Sequence, residues 1–192
     1  MKKVLVATLL LAMTVFGASA QKISGSLAPL KGQKQVNVVL DFTGTLVNGK
    51  PEESHVEFFS RNKTEEEIEK WRSEWYNDLR NQSYAMFVRD LNNKVSKKHF
   101  TVGNFPEAGY TIVVNVRDIT PGFFAGVMTK PSAVRADISF VKTGETKPFA
   151  TTNFKRVSSS ASSSMPYFVT RIALSFGSLG LHLGNSINKA LK

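Results

Sequence analysis

Apolar and polar residues alternate along two stretches in the second half of the chain. Tyr110, Ile112, Val114 and Val116 are interleaved with Thr111, Val113, Asn115 and Arg117. Val134, Ala136, Ile138 and Phe140 are interleaved with Arg135, Asp137, Ser139 and Val141. A period of two sends successive side chains to opposite faces of a sheet, so each run presents one apolar face. A third run, residues 149–157, follows Thr143-Gly144-Glu145-Thr146, whose composition is that of a tight hairpin connection. The three runs predict an antiparallel meander with one face to be covered. Earlier, Val36, Val38, Leu40 and Phe42 alternate with Asn37, Val39, Asp41 and Thr43. This run predicts a strand whose apolar content suits an interior place in the sheet.

Between the first strand and the meander the period changes. Asn48-Gly49 marks a turn, and residues 51–62 stay open between a short strand and a packed loop around Val56, Phe58 and Phe59. Thr64 followed by Glu67 makes a capping box, and Glu65 and Glu66 suit the positive end of a helix dipole. Ile68, Trp71, Trp75 and Leu79 recur at helical steps, and Tyr84, Phe87, Val88, Leu91 and Val95 resume them after the polar Asn81-Gln82-Ser83. The spacing predicts one long helix with a weak point at 81–83, or two in series. Residues 100–102 suggest a short strand, and 103–109 a turn. Residues 158–164 read SSSASSS, a flexible connector. A closing helix over 167–191 carries an apolar stripe of Phe168, Ile172, Phe176, Leu179, Leu183 and Ile187. Beside it runs a lane of small residues, Ala173, Gly177, Gly180 and Gly184, suited to close approach of a helix, the sheet or a partner. The expected fold is α+β: a mainly antiparallel sheet of about five strands with a long helix and a C-terminal helix packed on one face.

The first residues change the setting. Lys2 and Lys3 precede an apolar run over 4–16, and Gly17-Ala18-Ser19-Ala20 ends in the small-x-small pattern of a signal-peptidase site. The run is shorter than the ~20 residues a spanning helix requires. The expectation is a signal peptide over 1–20 with cleavage near Ala20, followed by a single domain over 21–192. Location is then periplasmic or secreted. The chain has no cysteine, which removes a lipoprotein anchor, disulfides and thiolate chemistry together. The net charge is +10 and unevenly spread: residues 21–121 hold 14 basic and 13 acidic side chains, residues 122–192 hold 9 and 2. A basic half on an exported protein suits an anionic envelope polymer or peripheral contact with a membrane. Its cations are not interleaved with aromatics, so no nucleic-acid partner is expected.

Candidate chemistry is sparse. His55, His99 and His182 share no metal-ligand spacing, and no metal or cofactor is expected. Residues 120–126 place Phe123 and Phe124 together in a glycine-rich loop, where burial of both rings is not assured. With Lys130 and Arg135 they form the candidate contact surface. Trp71 and Trp75 offer a further option, a pocket for a small apolar or sugar ligand. The run 38–47, Val-Val-Leu-Asp-Phe-Thr-Gly-Thr-Leu-Val, resembles the first motif of haloacid-dehalogenase-type phosphatases. That resemblance implies Asp41 as a nucleophile, with Thr43 in the position of the second aspartate, as in the similar run of P-type ATPases. The late pair of aspartates of that family has no counterpart here, since the acids after residue 110 are Asp118, Asp137 and Glu145.

The order of strand 36–42, long helix, strands 110–118, 133–142 and 149–157 and closing helix 171–191 resembles a periplasmic domain class. It is similar to short exported envelope proteins of Bacteroidetes-type bacteria, to the N-terminal domain of the Tol-system propeller protein and to the curli-secretion lipoprotein, whose acylated cysteine is missing here. The resemblance implies a non-catalytic binding or assembly module that contacts an envelope protein or polymer. It does not imply an enzyme.

Overall fold

A computed structural model describes residues 21–192; the expected signal peptide, 1–20, lies outside the described residues. Short strand β1 (Ser24–Gly25) leads through a 3-10 turn to β2 (Gln35–Asp41). Next come β3 (Leu46–Val47) and β4 (Lys50–Pro51), closed by Asn48-Gly49, both in the left-handed region. Helices α1 (Glu52–Ser60), α2 (Glu65–Ser73) and α3 (Leu79–Val95) follow, then β5 (Thr101–Gly103) and β6 (Tyr110–Thr120). A small hairpin, β7 (Phe123–Ala125) and β8 (Met128–Lys130), precedes β9 (Ala133–Lys142), β10 (Pro148–Ser158) and α4 (Phe168–Ala190).

The α+β class, the long helical segment and the C-terminal helix match expectation, but the sheet is larger and mixed. It has eight strands in the order β1-β10-β9-β6-β2-β5, with β3 and β4 attached beside β6. The meander β6-β9-β10 is antiparallel as expected, with Glu145 N–H donating to the Lys142 carbonyl at its second turn. β2, however, runs parallel to both β5 and β6. Alternation reports which face a side chain occupies and is silent on strand direction. The parallel pairing follows from the helices inserted between β2 and its neighbours, which carry the chain back to the starting end. Edge strand β5 is closed off by α3: the Asn92 side-chain amide donates to the Val102 carbonyl and its oxygen accepts from Val102 N–H, each at 2.8 Å. An edge with its backbone groups paired is no template for another strand.

Two further expectations are corrected. Most of residues 51–62 forms neither strand nor loop but helix α1, which starts directly after Pro51 of β4 with Glu52 and Glu53 in its first turn. The long helix is interrupted at 74–78, by a π turn, and stays regular through 81–83. Steps of four drift by about 40° on a 3.6-residue helix. A wider turn reduces that drift, which keeps Trp75 and Leu79 in register with Ser83, Phe87, Leu91 and Val95 on the buried side. At the start of α2 the capping box is present: Thr64 N–H donates to Glu67 Oε2 at 2.9 Å, and Glu67 N–H to Thr64 Oγ1 at 3.3 Å.

The small-residue lane of α4 packs internally, against α3. A Cβ on Gly180 would sit 2.5 Å from the Phe87 carbonyl oxygen and 3.0 Å from Leu91 N. At Gly177 and Gly184 it would meet Asp90 and Lys94 side chains, each at 2.5 Å. The two helices cover one face of the sheet and bury Phe87, Leu91, Ile172, Phe176 and Leu183 against Val114, Ile138 and Phe140. Among the described residues no α-helix covers the opposite face: Val39, at its centre, is 42% exposed. Across it Asp41, Asn115, Asp137 and Asn153 align in register on four strands.

Candidate functional site

The loop around Phe123 and Phe124 is the β7–β8 hairpin, and its position depends on its base. Gly122 has φ +66°, and a side chain there would run into the Lys130 carbonyl, so the two ends of the hairpin close on a glycine. Behind them Arg171 of α4 is buried, and no acid among the described residues pairs with it. Its guanidinium donates to the carbonyls of Pro121 (2.9 Å), Met165 (2.7 Å) and Pro166 (2.9 Å). Burial pushes its pKa down from the usual arginine value. An arginine remains protonated under such a shift, so the three carbonyls carry the charge. Ser132 adds a second tie: its hydroxyl donates to the Arg171 carbonyl at 2.6 Å and lies 2.7 Å from Ser175 Oγ. Ser132 N–H donates to Ser162 Oγ at 3.0 Å. Ser162 belongs to the serine-rich stretch expected as a flexible connector, which here forms a 3-10 turn (Ser160–Ser164) with Ser162 fully buried.

Beyond this anchored base the hairpin is exposed. Phe123 is 46% and Phe124 38% exposed, Met128 65%, and Val127 at the tip is fully so. Facing the base is α1, with Phe58 and Phe59 also exposed. A cleft of about 620 Å³ lies between them, lined by His55, Phe58, Phe59, Arg61, Pro121 and Gly122. Tyr167, beside the Arg171 anchor, is exposed as well. Of the large apolar side chains exposed among the described residues, only Val39 lies away from this end.

Behind α1, Trp71 and Trp75 belong to a stacked aromatic cluster. Their rings stack 5.4 Å apart, Phe59 stacks on Trp71 at 5.2 Å, Phe168 lies about 6 Å from both, and His55 sits 4.6 Å from Trp75. Trp75 is 1% exposed and its indole N–H donates to Glu52 Oε1 at 2.6 Å, tying α1 to the π turn. Burial lowers the His55 pKa below its ordinary value.

Lys130 and Arg135, expected as contact residues, share one groove of about 340 Å³ with Lys155, Arg156, Asp118 and Asn48. Asn48 also lines the α1 cleft, so groove and cleft neighbour each other across it. None of these four cations takes part in an ion pair among the described residues, whereas neighbouring Arg117 is held by Asp137 at 2.7 Å. The groove is made by irregularity in the strands: the register shifts between Val116 and Asp118 on β6 and between Phe154 and Val157 on β10. Such bulges re-aim side chains, and here they expose Lys155 and Arg156 in succession beside Arg135. Lys155 and Arg156 belong to the basic half noted above but were not singled out with Lys130 and Arg135. The available signal was two consecutive cations where alternation called for one apolar residue.

Asp41 and Thr43 lie in a separate cleft of about 570 Å³ with Phe42, Glu52, Arg80 and Tyr84. Asp41 Oδ1 accepts from Thr43 N–H at 2.9 Å, a local turn bond. Arg80 lies 3.4 Å from Glu52 Oε2 and 5.1 Å from the centroids of Phe42 and Tyr76. Among the described residues no group of three His, Asp or Glu side chains could hold a metal, and no helix is long and apolar enough to cross a membrane.

No family model and no curated protein matches the chain. Among solved structures it is similar to the PelC dodecamer from Paraburkholderia phytofirmans in space group P6. The identity is 10%, the TM-score 0.42, and the match covers 85% of this chain and 95% of that one. A single-substitution variant of the same dodecamer in space group C2 matches at 9% identity with the same TM-score and coverage. A likeness this loose carries no function.

Proposed function

We propose that this protein is a non-catalytic binding or assembly module of the cell envelope that engages an anionic partner through the end formed by β7–β8, α1 and the basic groove. One observation supports it above the others: four cations without acid partners line a groove that adjoins an apolar hairpin bolted to the core by Arg171. Unpaired cations in a concave surface attract anions without first breaking an internal pair. The rigid base limits the ordering cost on contact. The envelope setting rests on the signal peptide expected over residues 1–20.

The test is retention of the chain from Gln21 on an immobilised anionic polysaccharide across a salt gradient, comparing wild type with Arg135→Glu/Lys155→Glu. The expected result is wild-type elution at clearly higher salt than the variant, with equal melting temperatures. Co-elution of the two proteins overturns the assignment of the groove.

A second reading, phosphoryl transfer at Asp41, has in its favour the cleft that Asp41 and Thr43 share with Arg80. Against it, Arg80 already has Glu52, and Asp41 has only its local turn bond. Turnover of an aryl phosphate with Mg²⁺ that vanishes in Asp41→Asn would establish this second reading; no turnover in either protein removes it.

A further inference from the structure

Resting on the contact surface proposed above, we infer that its anionic partner is a lipid bilayer, entered at the interface by the β7–β8 hairpin while the groove cations meet the headgroups. The hairpin's own geometry separates this from docking on a protein. Cross-strand partners are Phe123 with Lys130, Phe124 with Thr129 and Ala125 with Met128. Adjacent strand residues point to opposite faces, so Phe123 and Phe124 lie on opposite sides of the ribbon. Both are exposed. A hairpin made to seat on a protein presents one apolar face and turns the other to water. This one sends an exposed phenylalanine to either side and ends in an apolar tip, Val127 and Met128, which suits shallow entry into a bilayer interface.

Charge distribution follows the same axis. From Pro121 to Thr129 no residue is charged, and the first cation is Lys130 at the end of β8. Arg135, Lys155 and Arg156 then lie behind it, with Lys50 and Arg61 on the α1 side. Against these six, Asp118 and Glu57 are the acids that line the two hollows. An uncharged tip with a cationic collar matches the layering of acyl chains beneath anionic headgroups. Phe58 and Phe59 on α1 add a second apolar edge beside the first. Pairing across β7–β8 satisfies only the inward backbone groups of the two strands, so entry stops at the headgroup level, where the outer edges keep their water.

The chain has no cysteine, so Val127→Cys carries a single environment-sensitive fluorophore at the tip. The labelled protein from Gln21 onward is mixed with phosphatidylcholine vesicles, with the same vesicles containing phosphatidylglycerol, and with a soluble anionic polysaccharide. The expected result is a blue shift with the anionic vesicles alone. In sedimentation the unlabelled protein should bind those vesicles at least about tenfold more tightly than neutral ones. Val127→Asp/Met128→Asp should lose that binding about tenfold with its melting temperature unchanged, since both positions are exposed. Absence of a blue shift, or equal vesicle binding by the Asp variant, overturns the bilayer inference. Polysaccharide retention that still depends on Arg135 and Lys155 would then leave the contact surface standing with a polymer or protein as its partner.

Discussion

The α3–α4 seam and the β7–β8 hairpin are built from similar residues and put them to opposite use. In the seam, Gly177, Gly180 and Gly184 strip one lane of α4 so that it lies against the backbone and side chains of α3, and Phe176 and Phe87 are wholly buried. In the hairpin, Gly122 closes the base and Gly126 the tip, both at positive φ, and Phe123 and Phe124 are left exposed. Glycine in the seam removes volume; in the hairpin it permits a backbone angle. The contrast shows that glycine beside phenylalanine is not a signal of burial until its use is known. One region is buried packing and the other exposed surface, and Arg171 joins them, since it leaves α4 to hold Pro121.

The sharpest way to break this division is Arg171→Met. It leaves the Pro121, Met165 and Pro166 carbonyls without a buried donor, which should cost roughly 3–5 kcal/mol in equilibrium denaturation. It should also expose the 120–132 segment to limited proteolysis. If stability falls and the hairpin stays protected, the two regions are not coupled through this residue.

Next in size is Gly180→Ala. Its new Cβ would press on the Phe87 carbonyl and Leu91 N, backbone atoms that cannot swing aside, and about 1–3 kcal/mol of stability should be lost. Gly177→Ala meets the end of the Asp90 side chain, which can rotate away, and should cost less. Equal effects would mean that the seam is looser than its geometry indicates.

The smallest effect concerns His55, which sits between the core tryptophans and the exposed phenylalanines of α1. Its folded pKa lies below the ordinary 6.5 because burial penalises the charged ring. Above that value the ring is neutral whether folded or not, and stability is at its full level. As pH falls below it, the unfolded chain takes up a proton that the native ring resists, so stability declines until the native ring itself titrates. His182 is shifted the same way by burial and adds to the slope. Denaturation midpoints measured from about pH 7.5 to about pH 5 should fall in wild type and fall less in His55→Phe. An unchanged slope would place His55 with the exposed end instead of the packed block.

Much of the fold was legible because it rests on local repetition. The alternation at 110–116 and 134–140 located β6 and β9, the Thr64–Glu67 pair located the start of α2, and the stripe from Phe168 to Ile187 located α4. Less of the site was legible. Phe123, Phe124, Lys130 and Arg135 were singled out and do share one end of the molecule. Lys155 and Arg156 joined them only through a bulge, which is set by strand pairing and not by composition. Residues 51–62 misled because Phe58 and Phe59, exposed on α1, gave no amphipathic period to read.

By itself the amino-acid sequence determined which faces are apolar, where helices start and where hairpins turn, because those depend on neighbours within a few positions. Tertiary structure alone decided the parallel pairing of β2, the π turn that keeps Trp75 in the core, and whether the glycine lane met a partner or α3. Those outcomes depend on residues far apart in the chain, Gly180 with Phe87 and Arg171 with Pro121, whose approach no local pattern encodes.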